Sequence, residues 1–106
     1  VLKANEVQTH TTTFDNVIHY IFKTAKVNRI IINANLFNGN IIRKFTFRVN
    51  AYIKEIVIVG NIRRIETLSF ANLDNLESVI ITGTVREIEK DAIWKCNDAD
   101  IVWYGL

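Results

Sequence analysis

Ile62–Gly83 reads IRRIETLSFANLDNLESVIITG, and Val85–Gly105 reads VREIEKDAIWKCNDADIVWYG. Setting Ile62 against Val85 brings Ile65 onto Ile88, Phe70 onto Ile93, Leu73 onto Cys96 and Leu76 onto Ala99. After the loss of one residue, Val79 meets Ile101, Ile81 meets Trp103, and Gly83 meets Gly105. The same slots are apolar in both copies, so the chain is a repeat with a period of about 23 residues. The period also runs backward. In Gly39–Gly60, GNIIRKFTFRVNAYIKEIVIVG, residues Ile42, Phe45, Phe47, Ile53, Ile56 and Ile58 precede Ile65, Leu68, Phe70, Leu76, Val79 and Ile81 by one period. Asn50 stands where Leu73 does, which makes that turn imperfect. Farther back only the strand-like run Val27–Asn33, VNRIIIN, survives.

Each unit contains a strand that alternates at period 2, such as Leu76–Thr82, with one face turned inward. Gly60-Asn61 and Gly83-Thr84 supply the turns after it. A second extended stretch follows, with Ile62 and Ile65, or Val85 and Ile88, pointing in. An irregular or 3₁₀ turn over Thr67–Leu73 then brings Leu68, Phe70 and Leu73 to the core. The chain holds 17 Ile and 10 Val, β-branched residues that pack well on a pleated surface. The absence of proline leaves backbone ladders between units unobstructed. The first residues differ. Phe14, Val17, Ile18, Ile21, Phe22 and Ala25 recur at three- and four-residue spacing, predicting an amphipathic helix with Thr13 or Asp15 as N-cap that lids the first coil. The expected organisation is one repeat domain over 1–106, with an atypical N-terminal capping unit at 1–34 and successive repeats at 35–60, 61–83 and 84–106.

This order of slots resembles the BspA-type leucine-rich repeat, whose unit runs aromatic, two residues, cysteine, two residues, leucine, then alternating isoleucines. Phe70, Leu73, Leu76, Val79 and Ile81 match one copy; Ile93, Cys96, Ala99, Ile101 and Trp103 match the next. The resemblance covers Gly39 to Gly105 well and the N-terminal third poorly. The alanine common before the aromatic is present only as Ala92, with Ser69 in the other copy, and the proline often found after the strand is missing. The resemblance implies a β-rich, leucine-rich-repeat-like solenoid, a right-handed coil with a parallel sheet. It also implies a binding role on a bacterial or protist cell surface, hence an extracellular setting. Fold alone does not fix function.

Composition excludes several classes. A hydrophobic content of 49% and a charged content of 23% describe a globular chain. A net charge of +2 is too small to imply nucleic acid. No apolar run approaches the roughly 18 residues of a membrane span, and VLKANEVQTH, the first ten residues, holds no apolar run of the signal-peptide kind. Methionine is absent even at position 1, which fits removal of a leader or excision from a longer chain. Past the last strand only Leu106 remains, so Ile101 and Trp103 are expected near an open end that continues in a longer parent, pairs with another copy, or is shielded by Trp94, Tyr104 and the charged residues nearby, the first two being the favoured expectations.

Catalytic constellations are missing, and no cofactor or metal is expected. The glycines recur at the repeat period and form no phosphate loop. His10 and His19 have no Glu or Cys at ligand spacing. Cys96, the single cysteine, shares its slot with Leu73 and reads as a buried structural thiol. Asp98 and Asp100 read as a solvated turn. In the second stretch, with Arg63, Arg64, Arg86, Lys90, Arg43 and Lys44, the register sets Arg64 against Glu87 and Arg43 against Glu66, which reads as a solvated ion-paired face.

The strand ladder carries the functional expectation. If Val79 and Ile81 face in, the outward middle row is Ile31, Val57, Ile80 and Val102, apolar in every copy, with Val59, Thr82 and Tyr104 beside it. A solvated sheet face is normally polar. An apolar row with a polar rim fits a non-enzymatic module that binds a protein partner or self-associates. The alternative expectation is a structural spacer within a larger cell-surface protein.

Overall fold

The computed structural model describes residues 22–96 and the backbone of 100–103. Each turn of the chain contributes three strands. The first coil holds β1 (Arg29–Asn33), β2 (Ile41–Ile42) and β3 (Phe47–Arg48). The second holds β4 (Glu55–Val59), β5 (Ile62–Ile65) and β6 (Phe70–Ala71). The third holds β7 (Ser78–Ile81), β8 (Val85–Ile88) and β9 (Ile93–Trp94), and β10 (Asp100–Trp103) follows. Equivalent strands stack into three sheets, β1-β4-β7-β10, β2-β5-β8 and β3-β6-β9. Every pairing is parallel. The chain is therefore a three-faced β-solenoid. The short third strand lies where an irregular or 3₁₀ turn was expected.

The register is the one the period predicts. Ile42 pairs with Ile65, Phe47 with Phe70, and Ile56 and Ile58 with Val79 and Ile81. Ile30 and Ile32 join the same two columns through β1. All of these side chains are at most 1% exposed. The inward columns are thus continuous aliphatic and aromatic stacks, each residue covering the one below. Phe47 and Phe70 stack face to face at 5.1 Å, while Phe22 and Phe37 set their edges against Phe47 at 5.0 and 5.9 Å. Burying one such side chain stabilises the fold by about 1.5–3 kcal/mol.

The corners are built from repeated devices. Phe45, Leu68 and Asp91 hold φ of 62°, 58° and 58°, and Val49, Asn72 and Lys95 hold 55°, 56° and 54°. These two left-handed columns bracket the third strand and bend the chain sharply on either side of it. Their amides remain paired to the next coil, Phe45 N–H to the Leu68 carbonyl and Leu68 N–H to that of Asp91, both at 2.8 Å. Leu68 is therefore half-buried at a turn instead of in the core where it was expected. Between these turns, Thr46 and Ser69 sit in one slot. The Thr46 hydroxyl donates to the Arg43 carbonyl at 2.7 Å, and the Ser69 hydroxyl reaches the Glu66 carbonyl at 2.6 Å and that of Ile42 at 2.9 Å. Glutamates reach back one coil: Glu66 accepts from the Lys44 amide at 3.2 Å, and Glu89 from that of Thr67 at 2.9 Å.

Gly83 is required by close approach. A Cβ there would overlap the Gly60 carbonyl and the Asn61 side chain, because the third coil's corner lies directly on the second's. In the first coil the corresponding corner is longer and is filled by two 3₁₀ turns, Ala34–Leu36 and Asn38–Asn40. Asn33 caps the first of them, accepting from the Asn35 amide at 2.9 Å.

Of the expected N-terminal helix, Phe22, Lys23 and Thr24 are helical. Phe22 is wholly buried and Ala25 packs on the core; Phe14, Val17, Ile18 and Ile21 lie outside the described residues, as do Thr13 and Asp15. Toward the other end the burial expected of the third coil is incomplete. Val85 and Ile93 are only partly buried, and Ile88 is 36% exposed, because among the described residues no further coil covers β8.

Candidate functional site: the outer face of the first sheet

The four-stranded sheet sets Ile31 opposite Val57, Val57 opposite Ile80, and Ile80 opposite Val102. The strands alternate because Ile30, Ile56 and Val79 are drawn inward, leaving every second residue on the outer face. Ile31 and Ile80 are half-buried, Val59 is 41% exposed and Thr82 is exposed. Val57 departs from the expected exposure. It is only 6% exposed, because in mid-sheet it is flanked on the adjacent rungs by Ile31 and Ile80. It thus forms the floor of the row, and its neighbours form the accessible part. The Thr82 hydroxyl accepts from the Gly60 amide at 3.2 Å, which fixes the strand's exit. The side chain of Val102 and the whole of Tyr104 lie outside the described residues.

At the start of the row stand Arg29, Glu55 and Ser78 on successive rungs. Arg29 Nε donates to Glu55 Oε1 at 2.9 Å, with both side chains substantially solvated. Such a pair is worth about 0–1 kcal/mol and acts as a polar border more than a clamp. The face is a flat, partly apolar strip with one charged edge. Among the described residues its carboxylate, Glu55, is engaged with Arg29, and the Thr82 hydroxyl with the Gly60 amide.

Cys96 is 6% exposed, and its thiol lies 3.3 Å from the Phe70 carbonyl. Burial pushes its pKa up, the opposite of what a reactive thiolate needs. Among the described residues no three His, Cys, Asp or Glu side chains cluster in a way that could hold a metal ion, and no helix is long and apolar enough to cross a membrane. His10, His19 and Asp98 lie outside the described residues, as does the Asp100 side chain.

Two features escaped the sequence reading. Asn50, expected only to spoil a turn, is buried and makes four hydrogen bonds. Its Nδ2 donates to the carbonyls of Phe22 at 2.8 Å and Ala25 at 2.9 Å, and its Oδ1 accepts from the amides of Tyr52 at 2.7 Å and Ile53 at 3.0 Å. One side chain thereby ties the N-terminal segment to the first full turn. The signal was present, an amide in an otherwise apolar slot. The other feature is the third sheet's outer side, where Arg48, Ala71 and Trp94 align. Trp94, which the sequence suggested only as a shield for the open end, is 38% exposed under the Lys95 ammonium, 4.4 Å from its ring; the period gave no sign of this alignment.

No curated protein and no solved structure is significantly similar to the chain. The family model for the BspA type leucine rich repeat region does match, in six copies over residues 3–100. It reaches through the N-terminal segment where the period is no longer visible, while four stacked rungs are seen in the first sheet. Proteins of this family are generally non-enzymatic repeat modules, found on bacterial cell surfaces, that serve interaction or structure. Period, register and family match agree: the chain belongs to the BspA-type leucine-rich repeat family.

Proposed function

We propose that the chain is a non-enzymatic protein-interaction module of a cell-surface protein, binding through the outer face of its four-stranded sheet. The observation that carries this reading is the apolar row Ile31–Val57–Ile80, held in register on three adjacent rungs. A regular row of β-branched side chains with a charged border and an exposed Val59 is suited to a flat or extended protein surface. Val57 supports the row from beneath, and Ile31 and Ile80 make the contact. A second copy of the chain is the first partner to test.

The test replaces the two accessible positions, Ile31→Lys and Ile80→Lys, and leaves Val57 untouched so that the floor stays packed. Wild-type chain is expected to self-associate reversibly in sedimentation equilibrium. The double variant is expected to remain monomeric with an unchanged circular dichroism spectrum. A variant that associates as well as wild type contradicts the proposed face; a wild-type chain that stays monomeric across the concentration range rules out a second copy as the partner, and one that also binds no other protein leaves the spacer reading.

A further inference from the structure

The second sheet carries a charge arrangement that its own residues do not balance. Between the pairs Ile62–Val85 and Arg64–Glu87, Arg63 faces Arg86 across the ladder. Both are exposed, and among the described residues neither side chain makes an ion pair or hydrogen bond. In the neighbouring column Arg64 opposes Glu87 as expected, but its guanidinium bonds Glu66 Oε2 on its own coil, at 3.3 Å, instead of reaching across the ladder. Like charges directly opposite one another on adjacent strands are destabilising, with rungs about 4.8 Å apart.

These two arginines border an open depression of about 390 Å³, together with Asn40, Asn61 and Thr84. Its floor is fixed by hydrogen bonds. Asn40 Nδ2 donates to the Asn61 carbonyl at 3.0 Å, and Asn61 Oδ1 accepts from the Thr84 amide at 2.9 Å. With its oxygen engaged in that way, Asn61 keeps its Nδ2 group as a donor beside the depression. The Thr84 hydroxyl and two guanidinium forks complete a set of donors with no acid among the lining residues.

From this arrangement we infer that the depression binds a tetrahedral oxyanion, a phosphate or sulfate group, bridged between Arg63 and Arg86. A carboxylate presents two oxygens and is satisfied by one bidentate guanidinium. A tetrahedral group presents enough oxygens to engage two forks on adjacent rungs and the Asn61 amide together. Bound charge relieves the Arg63–Arg86 repulsion, so binding and stabilisation are linked. This site lies on a different sheet from the apolar row and does not depend on it.

The test titrates the full chain with sodium sulfate, sodium phosphate and sodium acetate at constant ionic strength set with sodium chloride. Amide shifts of Asn61, Arg63, Thr84 and Arg86 are followed by NMR. Saturable shifts at millimolar sulfate or phosphate are expected, with acetate at least tenfold weaker. Arg63→Gln and Arg86→Gln, both on exposed side chains, are each expected to weaken binding at least tenfold while keeping the native spectrum elsewhere. Sulfate is expected to bind more tightly than phosphate at a pH where phosphate is largely singly charged, and equally at higher pH where both are dianions; methyl sulfate and phenyl phosphate, titrated in the same way, distinguish a sulfate ester from a phosphate ester as the source. Shifts matching those in chloride alone, acetate binding as tightly as sulfate, or Gln variants that bind like wild type would each overturn the inference.

Discussion

Asn50 occupies the slot that Leu73 and Cys96 fill in the next two coils, and all three are buried. A leucine there looks like restoration of the repeat. The hydrogen bonds argue otherwise, because Asn50→Leu strips partners from the carbonyls of Phe22 and Ala25 and the amides of Tyr52 and Ile53. Each buried group left unpaired costs about 1–3 kcal/mol, which outweighs the gain from a buried aliphatic. The variant is expected to lose about 3 kcal/mol in urea unfolding despite its closer match to the repeat. A midpoint equal to or above wild type would show that the N-terminal segment is not anchored through this amide. Val49 presents the reverse situation. It is β-branched, 59% exposed and held at φ 55°, a conformation costly for such a residue. Its counterpart one coil on is Asn72, at 56°, a residue type that tolerates this region. Val49→Asn is therefore expected to stabilise by about 1 kcal/mol, read as a higher unfolding midpoint; a lower midpoint would mean that the left-handed column is not what limits this turn.

Among the elements, the strands and their register were legible because burial imposes a period on the sequence. Ile56 and Val79 fall on one column because each inward aliphatic must cover the last, and the backbone of Ile101 pairs opposite Val79 as the repeat alignment requires. The corners were less legible. Phe45, Leu68 and Asp91 share one left-handed slot but no side-chain chemistry. The coil's geometry, not residue preference, sets φ there, and Leu68 was accordingly misread as core. The first coil's 3₁₀ turns answer to a longer corner with no counterpart one period on. Gly83 tests how tightly corners stack. Its backbone needs no special conformation, so Gly83→Ala isolates the overlap with the Gly60 carbonyl. A loss of about 2 kcal/mol, typical of overpacking, is expected in thermal or urea unfolding; an unchanged stability would show that neighbouring corners separate without cost.

At the level of the whole molecule, each coil touches chiefly the coils above and below it, so stability is close to a sum of nearest-neighbour terms. The outer faces are the freedom such a scaffold leaves. Once the inward columns are satisfied, what lies on the outside of each sheet can vary without disturbing the stack. This explains how far the candidate site could be read in advance. The alternation that hides Ile56 presents Val57 outward, so the row followed from the register. Its depth did not, because Val57's burial depends on neighbours one rung away on each side. The family, with its six matched copies over residues 3–100, fixes the scaffold and leaves these outer faces free to vary.

The account rests on equivalent strands of successive coils lying side by side in parallel. Nuclear Overhauser contacts between backbone amide and α protons, recorded on isotope-labelled chain, report this directly. They should link β1 to β4, β4 to β7 and β7 to β10, and join Phe47 to the rung of Phe70, stepping one coil at a time. Contacts that instead join strands adjacent in the chain, β4 to β5 or β7 to β8, in an antiparallel pattern would contradict the stacked coil and the proposed binding face built on it.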